Sequence, residues 1–180
     1  MTDFAWREPI KVLADVIASE MGLDTGHIML GFQSWGIPQD DGLYVALTTL
    51  SEKPVGNNNY FDGGDPDADP PVVPAEIQEV VTSELIQIDV MSFDGSVLGA
   101  RGRKNEVLMA LASMASLTAQ AQFNMRIHAI PTGFQNVSSL EETKFLNRFT
   151  VTLIVQSVQR KTKDAAYFDT FQTVQETFNA

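Results

Sequence analysis

Cysteine is absent from the 180-residue chain. That excludes disulfides, thiolate nucleophiles and thiolate metal ligands together, and it fits a reducing compartment. Histidine is nearly absent. His27 and His128 stand far apart with no His-x-His or His-Glu-x-x-His spacing around either. There is no glycine-rich phosphate loop and no Gly-x-Ser-x-Gly elbow. No apolar run approaches the roughly 20 residues that span a bilayer. Met1-Thr2-Asp3-Phe4 carries no basic stretch ahead of an apolar one, so a soluble protein made in the cytoplasm is expected. Asp65, Asp67, Asp69 and Glu76 match acid positions of a calcium loop, but Pro70 stands where that loop must turn on glycine. The chain therefore offers no catalytic residue, no metal ligand set and no cofactor site, and a non-enzymatic role is expected.

Hydrophobic residues make up 44% of the chain and phenylalanine supplies 11 residues, enough for one sizeable core. The formal charge is -11, and its placement is uneven. Residues 1–95 hold 17 acids against three bases, whereas residues 96–180 hold nine bases against six acids. Neither half has the dense basic footprint of a phosphate-binding surface, which argues against sequence-specific nucleic-acid recognition. Such polarity suits head-to-tail packing of copies, acidic face on basic face, or simply a solvated acidic surface.

Ile10, Leu13, Ile17 and Met21 recur at helical spacing, so a helix is expected over 9–21, started by Pro9 and stopped by Gly22. Phe4 and Trp6 are placed to pack back on it. Residues 22–42 are expected to be irregular, and 43–50 to form a strand. Residues 51–74 are rich in Pro, Gly, Asn and Asp, and predict an acidic, flexible tip on an outward-reaching β-hairpin arm. The returning strand covers about 76–91, with Val80, Thr82, Ile86, Ile88 and Val90 on one face. Ser96 is a candidate cap for one helix over 97–117, with Arg101, Asn105, Leu108, Leu111 or Ala112, and Ala115 tracking a face. Arg101, Arg103 and Lys104 fall in its first two turns, where they oppose the helix dipole. They are candidate interface residues that meet acids elsewhere, or else a solvated basic turn. A short strand is expected over 125–130, a single capped turn at Ser138-Ser139-Leu140-Glu141, and a long strand over 145–158. The expected fold is α+β: a mixed or antiparallel sheet of about four long strands with helices on one face. It forms a single domain over 1–163. Residues 164–180 form an aromatic tail in which Tyr167, Phe168, Phe171 and Phe178 either fold back or dock on a partner.

Asp41-Gly42-Leu43-Tyr44-Val45-Ala46-Leu47-Thr48, then Glu84 to Gly95, the alanine-rich helix and Phe149-Thr150-Val151-Thr152-Leu153 together resemble the tail-terminator or neck proteins of contractile-tailed bacteriophages. The resemblance spans roughly residues 5–160 and lies in the order and texture of elements. It implies a virion protein of the tail and neck, assembled in the host cytoplasm. It also implies a homo-oligomeric ring, a hexamer, that stops the tail tube, contacts tube proteins with or without sheath proteins, and joins a head-proximal connector protein. Genomic DNA would pass through its acidic lumen unread, without membrane contact. A head-closure or tail-completion ring, or a small enzyme or binding module of another class, stays open.

Overall fold

A computed structural model describes residues 7–31, 38–63, 67, 75–141 and 144–164. The elements in chain order are α1 (Pro9–Met21), a 3-10 turn (Thr25–His27), β1 (Ile28–Leu30), β2 (Tyr44–Asp62) and β3 (Ala75–Ser92). After them come α2 (Ala100–Leu111), α3 (Met114–Gln122), β4 (Met125–Ile127), β5 (Gln135–Asn136), β6 (Ser139–Glu141) and β7 (Lys144–Asp164). All seven strands join one mixed sheet in the order β1-β2-β3-β7-β4, with β5 and β6 also on β7. β1 runs parallel to β2, and the other pairings are antiparallel. The expected α+β class and mixed sheet are present. The strand count differs: three strands are long, at 19, 18 and 21 residues, and four are short.

α1 forms as its periodicity predicts. Pro9 opens it, where a missing N–H costs nothing, and Gly22 closes it in the left-handed conformation at φ 63°. The closing N–H groups of Gly22 and Leu23 bond to Ser19 and Ala18 carbonyls. Ile10, Leu13, Ile17 and Met21 are all buried. They pack with Val107, Ala110 and Leu111 of α2 over one face of the sheet, on Val45, Leu47, Ile86, Ile88, Val90, Val151, Leu153 and Val155. A smaller cluster, Met29, Tyr44, Met91 and Leu146, closes the end of the sheet.

Several expectations are corrected. Residues 28–30, expected to be irregular, form β1, because Met29 can be buried beside Tyr44 while the backbone pairs with β2. The single helix over 97–117 is two helices. Ser113 takes extended backbone and its hydroxyl accepts the Ser116 N–H, which starts α3 afresh. Ser96 does not cap α2. Gly99 is the N-cap residue, and the orphan Ala100 N–H is met by Ser92 Oγ from the end of β3. The residues expected to track one face do not share one environment: Arg101, Asn105, Ala112 and Ala115 are exposed, whereas Leu111 is buried. The strand over 125–130 ends at Ile127, leaving His128 exposed, and residues 139–141 pair with 144–146 as a hairpin instead of a capped turn.

The largest correction concerns residues 51–62. Pro54 and Gly56 were expected to prevent regular structure, but β2 continues through them to Asp62. They are tolerated because β2 is an edge strand here, and bulges at Leu50 and Val55 absorb the misfit. β7 extends past the expected end at 158 to Asp164. Phe4 and Trp6, most of the arm tip at 64–74 and the tail residues Tyr167, Phe168, Phe171 and Phe178 lie outside the described residues.

α2 depends on a close approach at its start. A Cβ on Gly102 would lie 2.0 Å from the Val97 carbonyl oxygen. Gly102→Ala should therefore destabilise the fold in urea titration, although alanine is favoured over glycine inside helices by about 1 kcal/mol. A stabilised variant would show that the 97–102 backbone gives way freely.

Candidate functional site

The feature that the fold sets apart from its core is the arm. Beyond Val155, β7 leaves the helix layer, and the paired segments 51–62, 75–84 and 155–164 continue as a three-stranded antiparallel sheet. The expected hairpin arm is thus present, and a third strand stiffens it. At a strand rise of about 3.3 Å, residues 157–164 alone carry it about 23 Å outward. Every residue from Leu50 to Phe61 is exposed, with Phe61 at 75%.

The arm is held together by polar pairs across its strands. Tyr60 donates to Glu79 Oε1 at 3.3 Å, and Arg160 reaches the same oxygen with Nε at 2.8 Å and a terminal nitrogen at 2.5 Å. The carboxylate raises the Arg160 pKa, chiefly through these hydrogen bonds. At the root, the buried hydroxyls of Thr82 and Ser157 meet at 2.9 Å. Nearer the core, Arg148 forks onto Asp89 at 3.1 and 2.9 Å, with Thr150 and Gln87 also donating to that buried carboxylate. Asp89 is shielded by these strands and leaves no free carboxylate to act as a base.

These pairs also locate the uneven charge. Asp41 with Lys144, Glu79 with Arg160 and Asp89 with Arg148 each join an acid of the first half to a base of the second. Part of the polarity is therefore spent inside one chain.

Of the basic candidates, only Arg101 is presented freely to solvent. Arg103 donates to the Met21 carbonyl at 2.8 Å, completing the C-terminal end of α1, and pairs with Glu106. Its role is to tie α1 to α2, and the acid it meets lies on its own helix. Lys104 donates to the Arg101 carbonyl and sits 4.8 Å from the centre of the Phe149 ring. The four aromatic candidates lie outside the described residues.

A second polar group lies at the start of β2. His27 and Tyr44 stack at 4.8 Å, and Tyr44 donates to both oxygens of Asp40. His27 Nδ1 donates to the Leu43 carbonyl at 2.8 Å, so that nitrogen is not a base. The Gly42 amide, then the Tyr44 hydroxyl, lowers the Asp40 pKa, while burial raises that of Tyr44. The group pins the chain entering β2. Three hollows of about 250 to 420 Å³ lie elsewhere along β7. Each is lined by at most one charged or imidazole side chain, Arg126 in one and His128 in another. Among the described residues no three His, Asp or Glu side chains gather as a metal site. No helix of the described residues is long and apolar enough to cross a membrane.

Sequence reasoning missed the strain at the arm root. The register sets Glu84 opposite Glu52, and Glu84 is buried. Burial raises its pKa, and the charges of Glu52 and Glu8 add to the effect. The folded protein then holds this proton to higher pH than the unfolded chain does. The penalty is absent in acid and grows as pH rises through the raised value. Stability should fall across that window in urea titrations. Glu84→Gln should flatten this part of the profile and stabilise the neutral-pH protein by about 0.2–1 kcal/mol, the range of cross-strand pairs. An unchanged slope would place the strain elsewhere.

Compared with known proteins, the chain matches no family model and no curated protein.

Proposed function

We propose that the protein is a structural ring subunit of a phage neck, a tail terminator that caps the tail tube and joins it to the head-proximal connector. The observation that carries this reading is the arm. Its outer half adds little to the main core, which ends near Val155, yet three strands are kept in register to Asp164. Apart from the buried Ile77, this extension adds reach and little apolar core, and such structure serves contact with something outside the monomer. The arm would reach a neighbouring subunit or ring, and the helix-covered part of the sheet would form the body of the ring wall. The excess of acid supports a passive lumen, since negative walls leave a duplex free to slide.

The reading is tested on assembled tail tubes. The purified 180-residue chain should bind tube ends and halt further growth, seen by electron microscopy as capped tubes of fixed length. Deleting 56–62 with 75–81, and closing the shortened arm with a turn, should abolish capping while the core still unfolds cooperatively. Growth that continues past bound protein would sink the terminator role. Binding to the connector alone would assign the chain to head closure.

A further inference from the structure

The outward side of α2 and α3 exposes four apolar side chains that no described element covers, one just ahead of α2 and three on the helices. Leu98, Met109, Met114 and Leu117 are 73%, 69%, 76% and 53% exposed. Arg101, Asn105 and Met109 are spaced by four, so they share one side of α2 and align the free cation with this shoulder. A shoulder of this kind accepts an amphipathic helix by its apolar stripe.

The chain carries such a stripe. Tyr167, Phe171, Val174 and Phe178 are spaced by four, three and four, and segment 165–180 contains Asp169 and Glu176 but no Lys or Arg. We propose that this aromatic segment of one copy docks on the α2–α3 shoulder of an adjacent copy. The inference rests on the self-assembling part of the reading above and names the contact through which copies join.

Reach decides between a chain's own shoulder and its neighbour's. β7 ends at the far end of the arm, where Asp164 pairs with Ala75. α3 enters β4 through Asn124, whose carbonyl accepts the Val158 N–H, so the helix ends at the level of the arm root. Asp164 is six residues beyond Val158, about 20 Å of strand. Tyr167 and Phe168 lie three and four residues past Asp164 and reach at most about 14 Å. Phe171 reaches at most about 25 Å, and only if the residues before it are fully extended, which takes Tyr167 out of the stripe. Leu117 and Met114 precede Asn124 by seven and ten residues on α3. A chain's own segment therefore cannot lay its first anchors on its own shoulder, but a neighbour placed beside the arm tip presents one. The opposite signs of Arg101 and the acidic segment favour the encounter, with Asp169 and Glu176 on the far side of the helix from the aromatic stripe.

The absence of cysteine makes the test clean. Chains carrying Met114→Cys and Phe171→Cys are mixed under mild oxidation, beside a control mixture of Met114→Cys with Thr132→Cys. The docked pair should form interchain disulfide at least about tenfold faster than the control, as expected when docking raises effective concentration. Leu117→Glu should abolish that enrichment without changing cooperative unfolding. The proposal is overturned if Met114→Cys and Phe171→Cys placed in one chain close within that chain at high dilution. It is also overturned by efficient closure of Phe171→Cys onto Phe61→Cys in the same chain, which would put the segment on its own arm. Solution mass read in parallel separates the two ideas: an oligomer, or a tube-capping monomer, without enrichment removes this contact and leaves the neck function standing.

Discussion

β3 is hydrogen-bonded on both sides along nearly its whole length, to β2 over 75–91 and to β7 over 75–92, and the other features of the molecule hang on that ladder. Over 85–91 the ladder lies under the helices and its inward side chains are the core. Over 75–84 the same ladder runs on with little of that core beneath it. A two-stranded hairpin of that length would be marginal in water, and the third strand changes the outcome. β7 is anchored by Val151, Leu153 and Val155 in the core, so its far end is held in line by the same continuous backbone. The arm is thus held by continuity with the core, by the buried Ile77 and by polar pairs such as Glu79 with Arg160.

The core half of the fold was legible in the sequence because burial leaves a periodic trace. Ile10, Leu13, Ile17 and Met21 show it for α1, and Ile86, Ile88 and Val90 show it for β3. The arm was less legible for a physical reason. Its strands are specified by pairing and register, and their exposed side chains carry no period to read. Asn57-Asn58-Asn59 resembles a loop until β3 supplies the backbone partners. The α2–α3 break was present in the sequence as a second serine cap at Ser113. It was obscured by alanines that suit one long helix equally well. Ser92 capping α2 could not be read locally, since the hydroxyl comes from eight residues before Ala100.

The charge pattern shows what a linear reading leaves out. Arg101, Arg103 and Lys104 look equivalent as a run of sequence. Folding divides them among a solvent-facing cation, a tie between two helices and a cation resting on an aromatic ring. Likewise, the acids of the first half are not simply a repelling surface. Asp89 and Glu79 draw β7 onto β3 through their arginines. Among the described residues Glu84 meets no arginine and instead opposes Glu52 across the root of the arm. The arm is therefore attracted along its length and strained where it leaves the core.

The two edges of the arm narrow how such a molecule can meet its neighbours. Among the described residues no strand pairs with the outer side of β2 beyond Leu47, or with that of β7 beyond Ser157. Open edges invite strand addition, but β2 carries Pro54 and two bulges, and β7 carries Arg160, Lys161 and Lys163. Proline, bulges and lysines are the devices that oppose edge pairing. A subunit so protected gains little from extending its sheet into the next copy. Its exposed apolar side chains include Phe61 and Val80 on the arm, Met109, Met114 and Leu117 on the helices, and Leu140 and Phe145 on the β6–β7 hairpin. In the ring proposed above, copies would join through side-chain docking, which would keep each arm's sheet discrete from the next.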